Sequence, residues 1–312
     1  MQSNKFFIAT EEVSDFLQKY YSSEITDLTE LHAGKHSHAF SYSHQEQEYV
    51  IRFNISDHGF LKDKYAYENF STTEICIPKI LDIGSYKDES YFCISEKLDG
   101  ETVRQQYNRE EYSSIHMQYD MIEAIAKVQV GGTRYGEMDE EGNAPFGSSL
   151  EYIDAVYRSH TFFNWQAIFA LPFVDKTFTD YVAERMEYYA KFGTHEQELM
   201  HGDFGNENVF IKDGNITGII DWEKSRYGDH FLDVGRVLLY CPDRKATAKA
   251  ALSFYQSKDI ANWKERIAMG VYHVMLTNYA NAALAGNEVS CAKSKKRLEE
   301  LENYLLLKDP PN

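Results

Sequence analysis

Residues 200–233 read M-H-G-D-F-G-N-E-N-V-F-I-K-D-G-N-I-T-G-I-I-D-W-E-K-S-R-Y-G-D-H-F-L-D, and this stretch decides the fold. Its middle predicts a hairpin. Residues 208–212 and 216–221 are short runs with β-branched and aromatic side chains, and Asp213-Gly214 between them is a turn dipeptide. Ahead of the hairpin lies a polar loop with His201, Asp203 and Asn208, and behind it come Asp221, Asp229 and Asp233. Upstream, residues 48–54 (E-Y-V-I-R-F-N) and 91–95 (Y-F-C-I-S) read as strands. Residues 75–83, with Pro78, read as an extended segment, and 31–42 alternates loosely around Gly34. Helical spacing marks 11–21, through Val13, Phe16, Leu17 and Tyr20, and a second helix fits 60–70.

After Gly100 the character changes. Residues 112–128, 162–170 and 181–192 predict helices, with Pro172 as a break, and 131–149 predicts a long loop rich in Gly, Asn and acidic residues. From Arg244 the chain predicts helix to the end, with Leu298, Leu301 and Leu305 as an apolar stripe. The sum is an α+β chain: a small β-rich lobe over 1–99, a hinge at about 96–99, and a larger, mainly helical lobe over 100–312. A cleft between two such lobes is a natural ligand site.

Composition narrows the partners. The 312 residues carry 32 Lys and Arg against 49 Asp and Glu, a net charge of −17, and no long basic stripe offsets it. Phosphate backbones are repelled, so nucleic acid is disfavoured as a partner, while a cationic small molecule is attracted. The four cysteines show no C-x-x-C spacing, which fits reduced thiols in a cytoplasmic protein. Residues 1–10 lack the apolar run of a secretory signal. Residues 267–287 carry no formal charge, but His273, Thr277, Asn278 and Asn281 within them predict a buried helix rather than a membrane span. A monomer or weak dimer is expected.

The chemistry lies in the spacing. His201-x-Asp203, then Asn208 after four residues, then a distal Asp221 beyond a hairpin is the H-x-D-x-x-x-x-N plus Asp arrangement of phosphoryl-transferring kinases. Phosphoryl transfer needs a carboxylate beside the acceptor hydroxyl, the part assigned to Asp203, and metal ions at the nucleotide phosphates. Asn208 and Asp221 supply oxygen ligands of the kind Mg2+ takes. His201 holds the loop by hydrogen bonds. Each residue alone would pass for an ordinary turn residue; four at these spacings do not.

The chain resembles the aminoglycoside phosphotransferase family and, within it, is most similar to the hygromycin B phosphotransferases. The wider likeness rests on H-G-D-F-G-N-E-N (201–208) and I-I-D-W (219–222). The narrower one rests on S-H-A-F-S (37–41), Y-V-I-R-F-N (49–54), G-F-L-K-D (59–63), I-P-K-I-L-D-I-G (77–84) and Y-F-C-I-S (91–95). The resemblance implies a protein-kinase-like two-lobed fold, ATP and Mg2+ as cofactors, and a cationic aminoglycoside as acceptor. It makes Asp203 the catalytic Asp, and Asn208 and Asp221 the metal ligands. It places adenine on the backbone of a hinge from Glu96 to Leu98, and the phosphates under the loop around Gly34.

Two features depart from the usual kinase pattern. Arg52 stands where the third strand ordinarily carries a phosphate-gripping lysine, and a guanidinium can clamp phosphate bidentately. Its acidic partner is expected to be Asp63, with Glu68 as the alternative. The competing reading of Arg52 is a surface ion pair. The phosphate loop also has Gly34 alone where protein kinases have three glycines. For the acceptor, Glu223 and the aromatic rings of Phe163, Trp165 and Tyr240 are candidates, set against a plain core role for each ring. Asp233 is expected to brace the catalytic loop. Two rival functions remain: a kinase of another small metabolite, such as a sugar or choline-like amine, and a non-catalytic nucleotide-binding protein. H-R-D and A-P-E are absent, which disfavours a protein kinase, and no G-x-x-x-x-G-K-[ST] occurs.

Overall fold

The runs at 38–44 and 47–54 become neighbouring antiparallel strands, with Phe40 opposite Ile51 and Ala39 opposite Arg52. The structure, a computed structural model, describes residues 7–31, 37–87, 89–111, 114–158, 162–194 and 196–307. Its chain divides into two compact units. The first holds the described residues up to Gly100, Glu140–Gly142 and Thr217–Glu223; the second holds Glu101–Asp139, Asn143–Ile216 and the described residues from Lys224 on.

In chain order the first unit contains α1 (Thr10–Tyr21), β1 (Thr26–Glu30), β2 (His38–His44), β3 (Gln47–Asn54), α2 (His58–Phe70), β4 (Ile80–Ser85) and β5 (Tyr91–Glu96). The strands form one sheet in the order β1-β2-β3-β5-β4, each antiparallel to its neighbour. Because strand side chains alternate, Phe40, Tyr42, Ile51, Phe53, Phe92 and Ile94 share one face and pack with Val13 and Leu17 of α1. Arg52 is forced to the opposite face, where α2 supplies Phe60 and Asp63. The sheet pattern therefore decides where the one cation of β3 goes.

The second unit begins with β6 (Glu101–Thr102) and α3 (Val103–Asn108), where Thr102 and Gln105 form a capping box. Then follow α4 (Ile115–Ala126), β7 (Gly136–Glu137), α5 (Ser149–Tyr157), α6 (Trp165–Phe169), α7 (Lys176–Ala190), β8 (Glu198–Met200) and β9 (Val209–Lys212). β10 (Asn215–Ile219) completes the hairpin, whose turn residues Asp213 and Gly214 both take positive φ, and from Thr217 to Glu223 the chain belongs to the first unit. A 3-10 turn (Trp222–Lys224), β11 (Arg226–Gly228), α8 (Phe231–Tyr240), α9 (Arg244–Gln256), α10 (Trp263–Leu284) and α11 (Glu288–Leu305) close the chain. β11 pairs with both β7 and β8, so Arg226 sits opposite Met200.

Three expectations change. The continuous helix from Arg244 is three helices, broken after Gln256 and after Leu284, where Gly286 takes a φ of 67°. The loop over 131–149 contains β7 and a bridge between Tyr135 and Phe146. The uncharged run over 267–287 is most of α10, buried among α7, α8 and α11 as far as Leu276 and exposed at its end, and no described helix is long and apolar enough to cross a membrane.

α8 and α10 cross at two glycines. A Cβ on Gly235 would lie 2.3 Å from the Gly270 carbonyl carbon, and one on Gly270 would lie 2.0 Å from the Phe231 carbonyl oxygen. Gly270→Ala should therefore push the helices apart and lower stability by about 1–3 kcal/mol. A denaturant melt of the variant beside the wild type measures this; equal midpoints would show that the crossing is loose.

Candidate active site

The loop after β8 is held from behind by one carboxylate. Asp233, on the first turn of α8 and 2% exposed, accepts the His201 N–H at 2.8 Å and the Gly202 N–H at 3.0 Å. Burial pushes its pKa up to about 6, while Arg226, the two amides and His230 pull the other way. Gly202 takes a φ of +78°, and a Cβ there would lie 1.9 Å from the Lys224 carbonyl oxygen. The loop can run this close only without a side chain.

His201 is fully buried. The Asp203 N–H donates to its Nδ1 at 3.2 Å, so that nitrogen keeps its lone pair and a ring proton belongs on Nε2. Asn208 donates its Nδ2–H to the Asp203 carbonyl at 2.9 Å, which turns its Oδ1 away as an oxygen donor. The Asp203 carboxylate forms an ion pair with Arg236 of α8. The Arg236 guanidinium lies 4.8 Å from the centre of the Tyr240 ring, one turn further along the helix. His201, Asp203 and Asn208 thus come together on one loop of the second unit.

The first unit gathers a second set. Arg52 Nη2 lies 2.6 Å from Asp63 Oδ2, while Glu68 faces Lys64 at the surface. Burial works against the Arg52 charge, but Asp63, with smaller contributions from Cys93 and Asp221, outweighs it and raises its pKa. The other Asp63 oxygen accepts the Trp222 N–H at 2.7 Å. Asp221, just before it, takes a φ of 67°. Glu223 rests its carboxylate near Gly59 at the start of α2, where a Cβ would come within 3.2 Å of Oε2. Leu98 packs over Gly218, and Glu96 donates its N–H to the Lys79 carbonyl at 3.0 Å. Gly34 lies outside the described residues.

The aromatic expectations divide. Phe163 and Trp165 are 8% and 5% exposed. Trp165 packs on Tyr157, Phe163 and Phe169 and donates its indole N–H to the Val156 carbonyl. These two rings are core, with little face left for a ligand; their apolar area is worth more buried. Tyr240 is half-exposed beside Arg236. Arg236 itself was not anticipated. The available signal was its position three residues after Asp233, a spacing that on a helix puts both on one face.

Among the described residues, Glu198, Asp229 and His230 gather as metal-ligand types do. Arg266 fills that place instead, with Nε 2.9 Å from Asp229 Oδ2 and Nη2 3.0 Å from Glu198 Oε2. His230 bonds Glu198 through Nδ1 and Glu123 through Nε2, each at 2.8 Å. Burial alone would lower the His230 pKa, but the two carboxylates raise it to about 10, so the ring is an imidazolium with no lone pair for a metal. This is an ion network that ties β8 and α4 to the start of α8.

A model of the phosphotransferase enzyme family matches residues 28–266. The chain belongs to that family. It is 28% identical over 239 residues to the hygromycin-B 4-O-kinase of Escherichia coli, covering 75% of this chain and 68% of that one. A stretch of 41 residues is 44% identical to the aminoglycoside 3'-phosphotransferase of Enterococcus faecalis, covering 12% and 16% of the two chains. A thermostable mutant of aminoglycoside phosphotransferase APH(4)-Ia, solved in ternary complex with AMP-PNP and hygromycin B, superposes with a TM-score of 0.81 at 24% identity. That likeness covers 95% of this chain and 99% of the other. The GDP complex of wild-type aminoglycoside 2'-phosphotransferase-IIIa gives 0.65 at 13% identity, over 95% and 99%. The family member described here thus has the kinase-like α+β fold, as its sequence led us to expect.

The ion network carries a pH prediction. The folded His230 holds its proton to about pH 10, whereas an unfolded histidine releases it near 6.5. Its stabilisation is complete below pH 6.5 and is lost as pH rises through 10. Melting temperatures of the wild type should fall over that window, and those of His230→Gln should start lower and fall less. Parallel curves for the two proteins would remove His230 from the account.

Proposed function

We propose that this chain is an ATP-dependent O-phosphotransferase whose acceptor is an aminoglycoside, with hygromycin B favoured. What carries the reading is the likeness to the hygromycin-B 4-O-kinase along most of the chain, joined to a loop that sets His201, Asp203 and Asn208 together. The net charge of −17 suits a cationic acceptor. On this reading the residues up to 99 serve the nucleotide, with the hinge at about 96–99, and those from 100 on serve catalysis and the acceptor. The four free cysteines suit a cytoplasmic enzyme, monomeric or weakly dimeric.

Asp203 takes the proton of the acceptor hydroxyl as its oxygen bonds to the γ-phosphorus and the bond to ADP breaks. His201 keeps the Asp203 backbone in place. Arg52, steadied by Asp63, holds the nucleotide phosphates; its guanidinium suits them bidentately. Asn208 and Asp221 would hold Mg2+, since both offer the hard oxygen donors it takes, whereas the carboxylates around the His230 imidazolium are already paired with it and with Arg266. When bound, the ion offsets negative charge on the phosphates. Glu223 is a candidate contact for an ammonium group of the acceptor.

The test is ATP-dependent phosphorylation of hygromycin B, of other aminoglycosides and of choline, with the product detected by mass. A product from choline or a sugar and none from hygromycin B would keep the kinase and discard the acceptor. Asp203→Asn should lower kcat about 10²–10⁴-fold with ATP affinity nearly unchanged. More than half the wild-type turnover, with chemistry rate-limiting, would remove Asp203 as the base.

Arg52→Ala should weaken ATP binding, and Arg52→Lys should restore part of it, because lysine keeps the charge and loses the fork. Nucleotide titrations that show the three proteins alike would return Arg52 to a surface ion pair.

A further inference from the structure

One face of α8 carries Asp233, Arg236 and Tyr240 at positions i, i+3 and i+7, and two of them touch the catalytic loop by different means. Asp233 holds the backbone of His201 and Gly202. Arg236 holds the carboxylate of Asp203. The Tyr240 ring lies against the guanidinium, 4.8 Å from its centre, and so limits where that group can swing.

We propose that Arg236 is a positioning residue, which keeps the Asp203 carboxylate in one orientation, with the Tyr240 ring as its seat. The proposal rests on the reading of Asp203 as the base. Both side chains are partly shielded, Arg236 at 25% exposure and Asp203 at 29%, so the pair is less screened than one at the open surface. Arg236 Nε is buried and has no hydrogen-bond partner among the described residues. A carboxylate has two oxygens. Arg236 engages Oδ1, which leaves Oδ2 for the proton of the acceptor hydroxyl. The reassignment also gives Tyr240 a part other than a wall for the acceptor.

The test compares the full-length wild type with Arg236→Ala, Arg236→Lys and Asp203→Asn. Arg236→Ala should lower kcat for hygromycin B roughly 10- to 100-fold and leave KM for ATP within about twofold. Arg236→Lys should recover part of the lost kcat. A kcat for Arg236→Ala within about twofold of the wild type overturns the proposal. So does a loss of kcat matched by an equal rise in KM for ATP, or one with no rescue by lysine, which would mark a structural ion pair. If Arg236→Ala does not fold, the kcat of Arg236→Lys decides, and a wild-type value there overturns it. If Asp203→Asn keeps wild-type turnover, the base and its positioning residue fall together. If that variant is inactive while Arg236→Ala behaves as wild type, the base stands and only the role of Arg236 falls.

Discussion

Two consecutive backbone amides, those of His201 and Gly202, end on the two oxygens of a single buried aspartate, and the loop after β8 has its shape because of it. Hydrogen bonds to an ionised acceptor are worth about 1.5–3 kcal/mol each, and a buried amide left without its partner costs about as much. The loop cannot drift without giving up both. Gly202 makes the arrangement possible, since its positive φ lets the backbone pass under the Lys224 carbonyl. With that backbone fixed, the Asp203 N–H reaches His201 and its carbonyl reaches Asn208, so three side chains of the site inherit their places from one contact. The buried network of Glu198, Asp229, His230 and Arg266 then secures the strand before the loop and the helix behind it.

The same device appears in the first unit. Asp63 spends one oxygen on the Arg52 guanidinium and the other on the Trp222 N–H. A charged side chain and the backbone beside Asp221 are therefore fixed by one carboxylate. Trp222, fully buried, prevents that segment from rotating. In both units an aspartate on a helix holds a peptide group and, in the first, a cation as well. Aspartate suits this work because its short side chain loses little entropy when fixed and offers two acceptors close to the backbone.

How much of this could be read beforehand follows from distance along the chain. His201, Asp203 and Asn208 lie within eight residues, so the spacing itself holds them on one loop. The strand over 48–54 was legible from its side chains, and its alternation implied that Arg52 would face away from Ile51 and Phe53. The partner of Arg52 was not settled, because Asp63 and Glu68 both follow on one helix; the register of β3 against α2 selects Asp63. Phe163 and Trp165 were left between wall and core, because an aromatic ring reads the same in sequence whichever role it has; burial puts both in the core. The three-way break after Arg244 lacked a strong signal. Asn262 begins α10 from a left-handed conformation without a proline or glycine to announce it. Arg236 needed the three-dimensional path of the loop before its partner could be named.

The charges of the site pose a problem that the arrangement resolves. A protein with a net charge of −17 draws a polycation toward it, and the same field favours the protonated form of a carboxyl group. A base must be ionised to accept a proton. Long-range attraction for the acceptor and local ionisation of the base therefore pull in opposite directions. On the proposed reading of Asp203 as the base, one guanidinium beside it reconciles them, because its influence is strong at contact and falls within about 10 Å at 0.1 M salt. Paired with that carboxylate and backed by Tyr240, Arg236 presents little net positive charge to an arriving ammonium group. A free lysine there would repel the acceptor and wander from the base. A helix that places an arginine three residues after the loop's own brace gives the cation a fixed address.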